Sequence, residues 1–269
     1  MNYIYNFFQI SKQAYFQARK KLQSATLKKE MLLQLAHNVR KRLPKVGGRK
    51  LYKMLKPDLE KLSFQLGRDG LFRLLRENQM LIRRKKKYAV TTNSHHWYKK
   101  FPNLIKELKI ISPNQVWVSD ITYIRIGNTF GYLSLITDYY SRKIVGFHLH
   151  KTLEAVGCIT ALNMALKFLK PGENVIHHSD RGIQYCCYEY IKIAASKNLK
   201  ISMTEDNHVY ENALAERVNG ILKDEFFLDQ YFINFEAAEK AITQAVETYN
   251  SFRPHLSLNY ATPDEKYAA

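Results

Sequence analysis

The fold is decided by residues 116–138, which read VWVSDITYIRIGNTFGYLSLITD, and by the run KIVGFHL at 143–149 that follows them. Both stretches are rich in β-branched and aromatic residues, which are enriched in strands. Gly127 interrupts the first stretch, and the turn-forming residues 139–142 separate it from the second. Three strands joined by such short connections are predicted to form an antiparallel meander.

Helices and strands alternate after the meander. Pro171 and Gly172 are expected to end the first helix. Added to the meander, this order predicts an α/β domain with a five-stranded mixed sheet flanked by helices. The predicted elements are a helix at 153–169, a strand at 174–178, a helix at 185–197, a strand at 200–203 and a helix at 213–227.

The N-terminal part predicts an all-α, helix-turn-helix-like domain. Apolar residues recur at helical spacing in 30–40 and again in 49–56, and two glycines at 47–48 separate these segments. Pro57 is expected to end the second helix, because proline removes a backbone donor and clashes with the preceding turn.

A third helix is predicted within 67–81, with Asp69 as its N-cap. Its leucines share one side, so Arg73 and Arg76 can face outward, as a helix that reads DNA requires. A helical hairpin with a solvated basic face explains this segment equally well.

The charge of the chain points to a polyanionic partner. Lys and Arg number 42 against 24 Asp and Glu, a net charge of +18, and nucleic acid is the usual reason for such a surplus. No apolar run reaches the roughly 18 residues of a membrane span. The N-terminus lacks the pattern of a secretory signal, so we expect a cytoplasmic, nucleoid-associated protein.

A basic segment joins the helical region to the α/β domain. Arg83, Arg84 and Lys85 open it and are candidates to lie on phosphates. His95 and His96 have no cysteine or acidic partner at ligand spacing, so contact with DNA or solvent is expected instead of metal binding. The predicted segments are 1–82 (helical DNA-binding region), 83–113 (linker), 114–229 (α/β core) and 230–269 (C-terminal helix and tail).

The cysteines are Cys158, Cys186 and Cys187. The adjacent pair lacks the two-residue gap of a zinc knuckle or a redox motif. We expect reduced, buried thiols.

Three carboxylates stand at unusual places in this pattern. Asp120 lies within the first strand, on the face opposite Trp117. Asp180 follows the fourth strand, where open α/β sheets gather their ligands, and Glu216 projects from the last helix away from its apolar stripe. Taken singly, each has an ordinary explanation: a turn former, a residue of an Asp-Arg-Gly turn, and solvated helix surface.

Taken together, the three carboxylates predict a metal site. Like charges in one small region need cations, and hard oxygen ligands select Mg²⁺ or Mn²⁺, here in a two-ion site that supports phosphodiester chemistry. Lys223 is seven residues after Glu216 and on nearly the same helix face, together with Asn219. These two residues, and Arg181 beside Asp180, are candidates to contact DNA.

Several strings along the chain strongly resemble the DDE transposases of the bacterial IS-three family, in the form of the second reading frame's product. Between Asp180 and Glu216 lie 35 residues (216 − 180 − 1), which is the spacing of that family. One departure is Glu211, where the family usually has Asp. The strings are QVWVSDITYI, YLSLITDYYSRKIVGF, HHSDRGIQY, ENALAERVNGILKDE and, from Tyr249 to Pro263, YNSFRPHLSLNYATP.

The resemblance implies an RNase H-like, retroviral-integrase-like fold, with Asp120, Asp180 and Glu216 as catalytic carboxylates that bind Mg²⁺. It also implies cleavage at the ends of an insertion sequence and 3′-hydroxyl attack on target DNA. The implied partners are terminal-repeat DNA, target DNA, further copies of the chain assembled on DNA, and a first-reading-frame protein or fusion.

Two other functions remain open at the level of sequence. The chain could be a non-catalytic DNA-binding subunit or regulator of the same element. A metal-dependent strand-transfer assay distinguishes this function from that of a catalytic transposase. It could also be a repair or RNase H-type nuclease, which would cut without joining.

Overall fold

A computed structural model describes residues 7, 9–82, 100–205 and 212–269 of the chain. Contacts divide the chain into two compact units, residues 1–84 and 85–269. The finer boundaries predicted from sequence stay predictions. The predictions for Arg83, Arg84 and Lys85, for the two histidines of the linker and for Glu211 lie outside the described residues.

The described part of the first unit includes the helices α1 (Lys12–Arg42), α2 (Gly48–Lys61) and α3 (Arg68–Glu77). The C-terminal part of α1 packs through Leu32 and Ala36, and the other two helices contribute leucines at helical spacing. The apolar side chains that form this small core are Leu32, Ala36, Leu43, Val46, Leu51, Leu55, Leu59, Leu71, Leu74 and Leu75.

Two predictions about helix ends in this unit are wrong. Pro57 lies inside α2, which continues to Lys61. Pro57 is exposed, as is Lys53 one turn before it, so the carbonyl that loses its helical donor can bind water while Leu55 and Leu59 keep the helix packed. Asp69 does not cap α3, whose N-cap is Gly67; the Asp69 carboxylate instead accepts a hydrogen bond from Arg68 Nε at 2.8 Å.

The second unit contains the predicted five-stranded mixed sheet, in the order β3-β2-β1-β4-β5. The meander consists of β1 (Val116–Ile126), β2 (Thr129–Asp138) and β3 (Ile144–His150), which pair antiparallel. β4 (Ile176–Ser179) pairs parallel with β1, and β5 (Lys200–Met203) pairs parallel with β4. β1 is therefore the centre of the sheet.

Helices cover both faces of this sheet. One face packs α4 (Ala155–Ala165), α5 (Ile183–Cys186) and α6 (Tyr188–Ser196) around Trp117 and Ile136. The other packs α7 (Ala213–Glu225) and α8 (Phe235–Ser251) on Ile124, Leu133 and Leu135. A 3₁₀ turn (Leu256–Leu258) and α9 (Pro263–Ala268) follow. Asp120 lies on the α7 side of β1, opposite Trp117 as predicted, because strand side chains alternate.

In the part of the chain that the structure describes, no helix is long and apolar enough to cross a membrane.

Candidate active site

The register between β1 and β4 brings Asp120 and Asp180 to the same edge of the sheet. Trp117 pairs with His177, and at the last paired position Ser119 pairs with Ser179. The next residue of β1 is Asp120, and the residue that follows the end of β4 is Asp180. Because the two strands are parallel and in register, their following residues emerge side by side, which is the arrangement that the sequence predicted.

The Asp120 carboxylate is half-buried and held by two hydrogen bonds. Its Oδ2 accepts from Asn219 Nδ2 at 2.7 Å, and its Oδ1 accepts from the Ile121 backbone amide at 2.9 Å. The pKa of Asp120 is raised to about 7: burial is the largest cause, the negative charges of Asp180 and Glu216 act in the same direction, and the two hydrogen bonds act against them. The three predicted carboxylates thus act on one another electrostatically.

Asp180 stands in a tight turn after β4. Its Oδ1 accepts a hydrogen bond from the Gly182 backbone amide at 3.0 Å. A Cβ at Gly182 would lie 3.0 Å from the same oxygen, so the turn leaves little room for a side chain. Arg181, predicted to contact DNA, donates from Nε to the Thr204 carbonyl at 2.6 Å and so joins this turn to the end of β5.

Helix α7 packs on the face of β1 that carries Asp120 and is tied to this strand by two asparagines. Asn212 at the N-cap is 4% exposed, and its amide donates to the Ser119 carbonyl at 2.9 Å instead of capping the helix. Asn219 is 5% exposed and donates to Asp120. Between them, Glu216 is exposed in the first turn. Lys223, half-buried, follows in the last turn.

The role of Asn219 as a hydrogen-bond donor to Asp120 was missed by sequence reasoning, which assigned it to DNA. A usable signal was its spacing of three residues from Glu216, which places the two side chains on the same side of α7. The DNA contact stays a prediction, but the amide nitrogen is engaged with Asp120 in this structure.

Across residues 7, 9–82, 100–205 and 212–269, no three His, Cys, Asp or Glu side chains are gathered closely enough to hold a metal ion. Asp120, Asp180 and Glu216 therefore feel one another's charge without forming a closed ligand cluster.

A buried polar network lies on the face of the sheet opposite Asp120, and no pattern in the sequence predicts it. His177 Nε2 lies 2.7 Å from Ser119 Oγ and 2.9 Å from the Tyr190 hydroxyl. The pKa of His177 is lowered to about 3, first by burial and then by the nearby His178, so the ring is neutral. The network fastens β4 and α6 to the residue that precedes Asp120.

The remaining predicted residues fall on solvent-facing or inert positions. Arg73 and Arg76 are exposed on α3, opposite its buried leucines, as the helix-turn-helix hypothesis requires. The three cysteines are unpaired, and Cys158 and Cys186 are buried. Burial raises the pKa of Cys158 to about 12, so its thiol is protonated and unreactive.

Comparison with known families matches the second unit. Residues 112–208 match one model described as an integrase core domain, and residues 197–263 match another of the same description. Of solved structures, the simian T-cell lymphotropic virus intasome in complex with PP2A regulatory subunit B56 gamma aligns with a TM-score of 0.52 at 18% identity. That alignment covers 83% of this chain and 75% of the viral chain, and it shows the integrase-like fold.

Two curated relatives are similar over most of the chain. The insertion element IS600 uncharacterized 31 kDa protein of Shigella sonnei is 37% identical over 218 residues, which are 79% of this chain and 80% of that protein. Transposase InsF for insertion sequence IS3A of Escherichia coli (strain K12) is 31% identical over 193 residues, 71% of this chain and 67% of InsF. Identity of this extent shows common descent and confirms the resemblance found in the sequence motifs: the chain belongs to the IS-three family of insertion-sequence transposases, with an integrase-type core.

Proposed function

We propose that this protein is a DNA transposase that cleaves DNA at the ends of an insertion sequence and joins the resulting 3′-hydroxyl to target DNA. Asp120, Asp180 and Glu216 are its catalytic carboxylates. The observation that carries the proposal is the register of β1 and β4, in which Asp120 and Asp180 each follow the last paired residues of neighbouring strands, with Glu216 on the helix whose Asn219 donates to Asp120. The charges of Asp180 and Glu216 also raise the pKa of Asp120. Family membership and the similarity to InsF support the same reaction.

The donor set of the site suits Mg²⁺ or Mn²⁺, in our proposal two ions held by the three carboxylates. All three side chains offer hard oxygen ligands. The pKa of Asp120 is raised first by burial and then by the negative charges of Asp180 and Glu216, which a bound cation would neutralise. When bound, such ions activate a water or a DNA 3′-hydroxyl and stabilise the leaving oxygen.

The protein's own residues orient the carboxylates in this proposal. Asn219 fixes one oxygen of Asp120, and the Ile121 amide fixes the other. Asn212 joins the first turn of α7 to β1, so Glu216 approaches from a helix that is anchored to the strand of Asp120. Side chains held in this way lose little freedom when substrate binds, which favours the reactive arrangement.

DNA binding is proposed for basic residues of both units. Lys223 lies on the helix of Glu216, where its cation can hold a phosphate of the reacting strand, and Arg181 adjoins Asp180. Arg73 and Arg76 are proposed to contact terminal-repeat DNA from α3, and the net charge of +18 supports a strong phosphate contribution. We further propose that several copies of the chain assemble on DNA, alone or with a first-reading-frame protein.

A second candidate is a DNA-binding subunit without catalytic activity. The observation that favours it is the pair of exposed arginines on α3, Arg73 and Arg76, which suit DNA binding whether or not the chain is catalytic. If the chain is catalytic, product formation depends on Glu216. If it is a non-catalytic subunit, product formation does not depend on Glu216.

The deciding experiment is strand transfer on labelled terminal DNA with Mg²⁺, comparing wild type with Glu216→Gln. Glu236→Gln is a matched control, because Glu236 is likewise an exposed glutamate in the first turn of a helix. We expect Glu216→Gln to lower joined product by roughly a thousandfold or more, and the control to match wild type. Equal product from wild type and Glu216→Gln, or none from either, would contradict the catalytic assignment.

A further inference from the structure

The segment YNSFRPH at 249–255 is among the strings that resemble the family, yet it does not belong to the carboxylate site. It begins in the last turns of α8 and continues into the tail. Two of its polar side chains are buried: Arg253 is 2% exposed and His255 6%. A buried arginine is costly unless it is paired, so its partner is informative.

The partner of Arg253 is Glu225, in the last turn of α7. Arg253 Nε donates to one oxygen of Glu225 at 2.8 Å and Nη2 donates to the other at 2.7 Å, which is a two-pronged ion pair. Such pairs fix orientation as well as distance, because the planar guanidinium matches the carboxylate. The C-terminal segment is therefore ion-paired with the helix that carries Glu216.

Two aromatic residues of the same segment hold the guanidinium in place. Its Nη1 donates to His255 Nε2 at 2.8 Å, and its central carbon lies 5.6 Å from the centre of the Tyr249 ring. The Tyr249 and His255 rings pack edge to face, with centres 4.9 Å apart. Because arginine only donates, Nε2 of His255 is the acceptor and its proton is on Nδ1.

The segment is in turn fastened to the sheet. Asn250 Oδ1 accepts from the Ile144 backbone amide and its Nδ2 donates to the Ile144 carbonyl, both at 2.9 Å. One side chain thus makes the pair of bonds that a neighbouring strand would make. The segment that carries Arg253 is therefore hydrogen-bonded to the start of β3.

Helix α7 is then held at both ends and in its middle. Asn212 fixes the first turn to β1, Asn219 reaches the Asp120 carboxylate, and Glu225 is gripped by Arg253. Glu225 is nine positions after Glu216 (225 − 216), about 14 Å along the helix axis. A rigid helix of this length passes a shift at one end to the other.

We propose that Arg253 is a positioning residue for the transposition reaction: through Glu225 it sets the placement of α7, and hence the approach of Glu216 to Asp120 and Asp180. The inference rests on the proposed function, because it assigns the carboxylates to a shared metal site. Arg253 touches none of the three carboxylates, so it acts only through the helix.

The test compares Glu225→Gln and Arg253→Lys with Asp264→Asn in the full chain. Asp264 is a matched control, since it pairs with Lys143 at 2.9 Å and so also joins the C-terminal segment to the start of β3, without touching α7. Mn²⁺ affinity is measured by titration calorimetry without DNA, together with thermal melting and backbone amide exchange of residues 213–225.

We expect both α7 variants to bind Mn²⁺ about tenfold more weakly, the lower end of the usual cost of losing a support for a metal ligand. Their amides around Glu216 should also exchange faster, while Asp264→Asn keeps wild-type affinity and exchange. If the Arg253–Glu225 pair served stability only, the α7 variants would have a lower melting temperature but wild-type Mn²⁺ affinity.

Wild-type Mn²⁺ affinity in a folded Glu225→Gln protein would overturn the inference while leaving the proposed function intact. If Arg253→Lys fails to fold, Glu225→Gln decides alone, because Glu225 is partly exposed and an uncharged amide of the same shape replaces it. Wild-type protein that binds no Mn²⁺ would overturn both the proposed metal site and the inference built on it.

Discussion

Helices α3 and α7 both carry basic or polar residues opposite a buried aliphatic stripe. They differ in whether those polar side chains are exposed or buried and hydrogen-bonded. On α3, Arg73 and Arg76 are exposed and turned to solvent. On α7, asparagine side chains are buried and hydrogen-bonded to β1 and to Asp120. The difference indicates that α3 is suited to contacts made by charge, which tolerate motion, whereas α7 is suited to chemistry that requires fixed geometry.

The largest effect expected from this comparison is on Asn219. Asn219→Ala removes the hydrogen bond that fixes Asp120, so strand transfer should fall by roughly a hundredfold. Binding of terminal DNA, measured by fluorescence anisotropy, should change little. Asn174→Ala, at an exposed loop position, is the control and should behave as wild type. Loss of DNA binding in step with activity would instead make Asn219 a DNA contact.

A smaller effect is expected from the buried network behind the carboxylates. Burial holds the pKa of His177 at about 3. Below the ordinary histidine pKa of about 6.5, protons bind the unfolded chain and not the native one, so falling pH favours unfolding until it approaches 3. Between pH 7 and pH 5, the titration of this group should lower the free energy of unfolding by roughly 2 kcal/mol.

Urea unfolding at several pH values checks this prediction with His177→Gln, which lacks the titrating ring. The variant should lose about 2 kcal/mol less than wild type between pH 7 and pH 5. His37→Gln, at an exposed position of α1, should run parallel to wild type. A His177→Gln curve parallel to wild type would mean that His177 is not a buried neutral ring.

The smallest effect is expected from substitutions on α3, because its exposed arginines are proposed to contact DNA through their charge and do not need a fixed geometry. Arg73→Gln with Arg76→Gln should weaken binding of terminal DNA and lower the slope of log affinity against log salt by about two. Strand transfer at saturating DNA should stay at the wild-type rate. Lys41→Gln, an exposed charge on α1, measures the general effect of lost charge. A double variant no weaker than this control would show that α3 presents only a solvated basic face.

The sheet and the carboxylate pair could be predicted because their signals are local and periodic. β-Branched runs marked the strands, and a parallel neighbour for β1 was enough to bring Asp120 and Asp180 together. The ends of helices were less predictable. α1 begins at Lys12, well before the predicted segment 30–40, because its first half is exposed and carries no buried stripe to mark it.

Contacts that depend on packing could not be predicted at all. Asn219 reaches Asp120 across 99 residues of sequence, and Arg253 reaches Glu225 across 28. Each residue type alone fits a solvated helix surface or a tail, and only the tertiary fold shows that it is buried and paired. The Ser119, His177 and Tyr190 network is of the same kind, since its three residues belong to three elements.

The claim that Asp120, Asp180 and Glu216 form one metal site is tested most directly by crystals of the protein with terminal DNA and Mn²⁺, using the anomalous signal of manganese. We predict two anomalous peaks about 4 Å apart, in contact with all three carboxylates, and their loss in Glu216→Gln. Manganese bound elsewhere on DNA-bound protein, or at a site that omits one of the three carboxylates, would contradict the account.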